Sequence, residues 1–382
     1  MNDATAERGA PLRRGWTTGA CATAAARAAF AALLGQGFPD PVEIVLPSGA
    51  RARFSLAGHA LEAGEARASV VKDAGDDPDV THGALVTAAV RPLPPGSGLR
   101  FAAGPGVGTI TRPGLPLPPG EPAINPVPRA MIAANLAALQ PGADLLVTVG
   151  VEDGEALARR TLNPRLGIVG GLSILGTTGI VVPFSCAAWI DSIHRGIDVA
   201  RASGLVHLAA STGRSSEAAV QALYGLDEAA LIEMGDFAGG VLKYLRRHPV
   251  PRLSLAGGIG KITKLAQGRL DLHSRRGAVD RTLLAHWAGA AGLSAAGCAA
   301  VGGANTAAEA LAIAGREGVA LADLVADRAR EVAGEVLGGG ADWLEVLVFD
   351  PQGSLLGRSA PGSSAPGGSA LGRSALGRKR RE

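Results

Sequence analysis

Aromatic residues are scarce, at 3% of the 382 residues. Platforms for single-stranded nucleic acid need stacked aromatics in series, so no nucleic-acid partner is expected. Cysteine is nearly as rare. Cys21, Cys186 and Cys298 are odd in number, far apart and form no C-x-x-C pair, which argues against a disulfide framework or zinc ribbon and for a reducing compartment. No apolar run approaches the roughly 20 residues of a transmembrane helix, so no membrane partner is expected. Arg13-Arg14 precedes a small-residue stretch as a secretory signal would, but Arg27 interrupts it and Asp3 and Glu7 precede it. A cytoplasmic location is therefore expected.

Chemical signatures are missing as well. There is no Gly-x-Ser-x-Gly elbow, no HExxH helix and no G-x-G-x-x-G spacing. Residues 257–263, GGIGKIT, miss the phosphate-loop pattern because Leu255 and Ile262 stand where it needs Gly and Ser or Thr. The run DAGDDPDVTHG lacks the EF-hand spacing with its final Glu, so no metal is assigned. Global charge offers no guide either. The formal +3 resides at the end of the chain, where six basic residues face one acid from Leu355 onward, leaving residues 1–354 at −2.

What the chain has in excess is glycine, 55 residues, about twice the usual share. With 47% hydrophobic residues, the length suffices for two domains with cores. After a Thr18 cap, an alanine-rich helix is expected over 19–34, followed by strands at 42–46, 52–56, 66–72 and 84–90, a helix at 128–139 and a strand at 144–151. This is an α+β part with an antiparallel or mixed sheet. The Gly/Pro-rich stretch 93–122 reads as a long loop. From 205 onward, three strand-turn-helix units argue for an α/β, Rossmann-like part with parallel strands, and helices at 281–291, 306–314 and 321–337 precede a strand at 343–349. The expected organisation is a flexible 1–11, an α+β domain at 12–150, an α/β domain at 151–354 with a Gly-rich crossing at 161–181, and a disordered Gly/Ser/Arg tail at 355–382.

The densest segment is 161–181. Its Gly170, Gly171, Ser173, Thr177 and Thr178 would bring backbone N–H groups and hydroxyls against a ligand; a buried crossing is the competing reading. Lys261 and Lys264 could pair with an acidic ligand or remain solvated. His273 could act as a general base, or Asp79 could order its loop or touch a ligand.

Seven motifs resemble the CbiD family: GWTTGACATAA from Gly15, DVTHG from Asp79, GPGVGT from Gly104, PAINPVPR from Pro122, the long run NPRLGIVGGLSILGTTGIV from Asn163, GDF from Gly235 and GKITKLA from Gly260. They occur in the family's order and cover about residues 12–350. The resemblance implies a CbiD-like two-domain architecture and methyl transfer from S-adenosylmethionine to C1 of cobalt-precorrin-5B, yielding cobalt-precorrin-6A in the anaerobic route to cobalamin. It also implies a macrocycle site with Thr17, Thr18, Gly19, Asn125, Arg129, Asn163 and Arg165 joining the glycine-rich residues and Lys261 and Lys264. The donor is expected at the strand ends, at Ser211, Thr212, Gly213, Gly235 and Asp236, because ligands of open α/β sheets bind outside the strands' carboxyl ends. Ala20, Leu272 and Val182 stand where the family usually has Thr, Thr and Glu, and Trp16 replaces the commoner Tyr, so no catalytic base is assigned. A non-catalytic carrier of the intermediate stays open, as does a homo-oligomer; a nicotinamide-dependent reductase is disfavoured by the missing dinucleotide spacing.

Overall fold

The computed structural model describes residues 11–362. The fold is mixed α/β with mixed sheets, in two compact units that divide between Gly204 and Leu205.

The first unit is built on a helix without a polar face. Thr18–Leu33 starts after Thr17, whose hydroxyl accepts from the Ala20 N–H, and every side chain from Thr18 to Ala26 is buried. A helix that is small and apolar all round can be enclosed on all sides. It packs on the strands Glu65–Val71 and Leu85–Pro92 and on the helix Pro126–Ala137. The sheet runs Gly58–Glu62, Glu65–Val71, Leu85–Pro92, Leu145–Val151, Leu99–Ala103, antiparallel except for its last pair. Val86, Val90, Val147 and Val149 supply its core together with Ile132 and Ile174. Burial holds Cys21 of the central helix as a thiol, its pKa raised to about 12.

In the second unit, Leu231–Glu233, His207–Ser211, Val250–Gly258 and Ala341–Phe349 run parallel in that spatial order, and Leu355–Ser359 adds an antiparallel edge. The helices Arg214–Tyr224, Ala238–Leu245 and Ile259–Ala266 each follow a strand. Strand alternation puts Ala209, Ala256, Leu347 and Phe349 on one face, packed with Val220 of the first of these helices.

Several expectations change here. Residues 151–204, expected to open the second domain, belong to the first unit and end in an unexpected helix, Cys186–Ala202. The stretch 93–122 is not all loop, because Leu99–Ala103 finds a parallel partner in Leu145–Val151. The expected tail begins with a strand: Leu355–Ser359 pairs with Ala341–Phe349, and Arg358 reaches Glu345. The N-terminus expected to be flexible over 1–11 lies, but for Pro11, outside the described residues, as does the expected tail from 363.

Candidate functional site

Three parallel strands end side by side in the second unit, Ser211 facing Glu233 on one side and Ala256 on the other. The chain leaves them through Thr212-Gly213, Gly235-Asp236 and Gly257-Gly258. The exits are tied to one another: Thr212 N–H donates to Ala256 O at 2.9 Å, and Met234 N–H to Ser211 O at 3.0 Å. Gly235 turns with φ +56°, a conformation suited to glycine. A Cβ on Gly257 would lie 2.8 Å from Thr212 Oγ1, so a bare backbone is what lets Thr212 sit at this corner.

The side chains here are incompletely paired. Lys261 Nζ donates to Thr212 O at 2.9 Å and stands 3.1 Å from Asp236 Oδ1, an ion pair without hydrogen-bond alignment. Asp236 Oδ1 and Ser211 Oγ are both buried with no hydrogen-bond partner. Leaving a buried polar atom unsatisfied costs about 1–3 kcal/mol. Two such oxygens at adjacent strand ends can accept hydroxyl or amine donors from a ligand, with Lys261 offsetting the carboxylate's charge.

The glycine-rich segment in the first unit is a stitched crossing. Ile168–Val169 pairs with Thr109–Ile110, Ile180–Val181 pairs with Gly15–Trp16, and single bridges join Val107 to Leu172 and Ile124 to Ile174. Gly171 permits the closest approach, since a Cβ there would lie 2.3 Å from Gly106 O. Asn163, buried, donates to Gly171 O and accepts from Ser173 Oγ, while Asn125 Nδ2 donates to Ile174 O. Gly19 packs near Pro128 and Gly176 against Thr17. Thr18 is buried; Gly170, Thr177 and Thr178 are exposed, and Thr178 Oγ1 bonds Ile180. Buried and half-buried positions predominate over 163–174, broken by exposed Pro164, Val169 and Gly170, and Leu175, Thr177 and Thr178 are exposed beyond it.

The expected cations are mostly engaged within the fold. Arg129 donates to Ile124 O, Pro122 O and Glu121 and lies over the Phe101 ring. Lys264, 8% exposed, donates to Leu272 O. Arg165 is half-buried. Lys261 meets a partly unsatisfied group, the carboxylate of Asp236.

Asp79 is knotted into its own loop. It accepts from buried Lys72 and from the N–H and hydroxyl of Thr81; burial favours its neutral form, but Lys72 and these bonds bring the carboxyl below its ordinary range. His273 is exposed and caps a turn, Nδ1 accepting from Arg275 N–H.

A separate polar cluster was not legible in sequence. Glu345, with 0% exposure, accepts from Ser254, Arg252, Tyr224 and Arg358, and these partners outweigh burial to keep it ionised, its pKa lowered. Ser254 also bonds His207 Nε2 at 2.7 Å, and burial together with the Arg252 charge lowers His207 to about 4. Its only sequence signal is a Glu inside the apolar run of Ala341–Phe349. Among the described residues, no group of three His, Cys, Asp or Glu is arranged to hold a metal ion, and no helix is long and apolar enough to cross a membrane.

The CbiD family model matches residues 5–183, and the model of the CbiD C-terminal domain matches 271–360. The chain is 57% identical over 357 residues to a cobalt-precorrin-5B C(1)-methyltransferase of Halorhodospira halophila, covering 92% of this chain and 96% of that one. It is 60% identical over 352 residues to the Bradyrhizobium protein of the same name, covering 91% and 94%. The crystal structure of a cobalamin biosynthesis protein (cbiD) from Archaeoglobus fulgidus is 27% identical, covers 68% of this chain and 85% of that one, and superposes with a TM-score of 0.36.

Proposed function

This chain belongs to the CbiD family, and from that premise we propose that it is a methyltransferase acting on C1 of cobalt-precorrin-5B in cobalamin biosynthesis, working in the cytoplasm. The relatives' shared name supports the reaction over more than nine-tenths of the chain. The observation in the fold that supports it best is the pair of unsatisfied oxygens, Ser211 Oγ and Asp236 Oδ1, at parallel strand ends. We assign the methyl donor, S-adenosylmethionine, to this Rossmann-like corner; it would supply an electrophilic sulfonium methyl.

The chain's own residues then have modest tasks. Asp236 accepts ribose hydroxyls, as acids at this position of related nucleotide folds do. Ser211 offers a second acceptor, and Thr212 and Gly213 line the approach with backbone. Lys261 keeps the carboxylate oriented through Thr212 O. The macrocycle is assigned to the glycine-rich segment, through Thr17, Gly19, Asn125, Asn163 and the exposed Gly170, Thr177 and Thr178, with Arg165 for an acetate or propionate arm. Displacement at a sulfonium disperses charge, so alignment and exclusion of water contribute most of the catalysis.

The test is incubation of the full chain with cobalt-precorrin-5B and S-adenosylmethionine, followed by mass spectrometry. A gain of one methyl per macrocycle is expected. Tight macrocycle binding without gain would replace this reading with that of a carrier.

A further inference from the structure

Of the seven Phe, four Trp and two Tyr, only Phe184 and Trp189 are exposed, at 67% and 43%. Both lie where the chain leaves the strand Ile180–Val181 and enters the helix Cys186–Ala202. Leu175 and Val182, at 55% and 47%, are also exposed in the same stretch of chain. Apolar surface gathered in this way marks a binding site more often than isolated exposed residues do.

Phe184 is also strained. Its φ is +53°, in the left-handed region that side chains beyond Cβ disfavour. The conformation is held from outside, since Phe184 N–H donates to Asp77 Oδ1 at 2.9 Å, across 107 residues. Strain that presents an aromatic ring to water instead of packing it is a pattern of functional positions. The strand pairing brings a cation to the same region: Arg14 precedes Gly15, the register partner of Val181, is exposed, bridges backbone to backbone with Gly75 two residues before Asp77, and makes no ion pair among the described residues.

We infer that Phe184 is a substrate-contacting residue that stacks on the flat face of the macrocycle, with Arg14 meeting a carboxylate on its rim. This rests on the substrate reading above and adds to it residues that no motif supplied. The complementarity is chemical. A conjugated disc offers an apolar face to an aromatic ring and anionic arms to a guanidinium. A second copy of this chain would instead bring the same cation against itself across a two-fold interface.

The test uses the full chain with Phe184→Ala, Phe184→Gly and Arg14→Ala, measured by steady-state methyl transfer and by equilibrium titration with cobalt-precorrin-5B. Phe184→Gly relieves the backbone strain, so it guards against a variant that fails to fold; thermal melts and donor titration check both. The expected result is a KM for the macrocycle raised about tenfold or more in both Phe184 variants, with kcat within about twofold and donor affinity unchanged. Arg14→Ala should weaken binding less and reduce its salt dependence. A macrocycle affinity unchanged in both Phe184 variants, or a loss traced by sedimentation to altered self-association, would overturn the contact. A wild-type chain that binds no macrocycle would overturn the substrate reading itself, which the same titration distinguishes.

Discussion

Asp236→Ala isolates the proposed donor corner with little disturbance elsewhere. The carboxylate's structural ties are few. Its ion pair with Lys261 joins side chains that are 24% and 39% exposed, a setting in which a pair contributes about 0–1 kcal/mol. The backbone bond from Leu272 N–H to Asp236 O, 2.8 Å, survives the substitution. Donor binding should respond far more. Each hydrogen bond to an ionised group contributes about 1.5–3 kcal/mol, and a carboxylate facing a ribose diol makes one or two. Discounted for partial exposure, the loss is roughly 2–4 kcal/mol, which raises the dissociation constant about 30- to 700-fold. Titration calorimetry with S-adenosylmethionine reads this directly, and Asp236→Asn, which keeps an acceptor but loses the charge, should fall between. A dissociation constant within about threefold of wild type, in a variant with an unchanged melt, would refute the placement of the donor.

Three further outcomes follow from the packing. Gly171→Ala drives a Cβ to 2.3 Å from Gly106 O, backbone that cannot swing aside, whereas Gly170→Ala meets nothing within 4 Å. The first should cost about 3 kcal/mol or more and the second about 1–2 for its left-handed φ, so a calorimetric melt showing equal losses would contradict the crossing described. His207, lowered to about 4, binds a proton in the unfolded chain at a higher pH than in the folded one. Stability should therefore be full above about pH 6.5 and decline as pH falls toward 4; urea unfolding of His207→Gln should show a shallower slope, and an unchanged slope would refute the assignment. Truncation after Ser354 removes the edge strand and Arg358 from fully buried Glu345, costing about 3 kcal/mol or more, while truncation after Gly362 should leave the melt unaltered. Equal melts of the two truncated chains would contradict the role of residues 355–359.

How far the sequence revealed this molecule depended on range. Local chemistry was readable: the alanine-rich helix, its threonine cap within one residue, and the helices after the strands of the second unit follow from periodicity, caps and glycine stops. Pairings between distant segments were not. Leu99–Ala103 sits among Gly and Pro and becomes a strand because Leu145–Val151 offers it an edge, and Leu355–Ser359 does so beside Ala341–Phe349 despite a low-complexity context. The helix Cys186–Ala202 had a readable signal, Ser185 as cap and Ile193, Ile197 and Ala200 on one face, masked by the small and polar residues around it. Of the candidate site, Ser211 and Asp236 were named from strand-end topology, and Lys261 was named for a different ligand, as a helix-start cation for the acidic macrocycle. Sequence could not show that Lys264 and Arg129 are engaged internally, since their partners are backbone carbonyls and a side chain brought in by the fold. Nor could it show Phe184, whose strain and exposure exist only in three dimensions.

Methyl transfer to one carbon of one macrocycle is open to direct observation by incubating the full chain with cobalt-precorrin-5B and S-adenosylmethionine carrying a 13C methyl, and reading the product by carbon NMR. A single labelled methyl at C1 is expected. Label on another carbon, or none on a macrocycle that the chain binds, would contradict it.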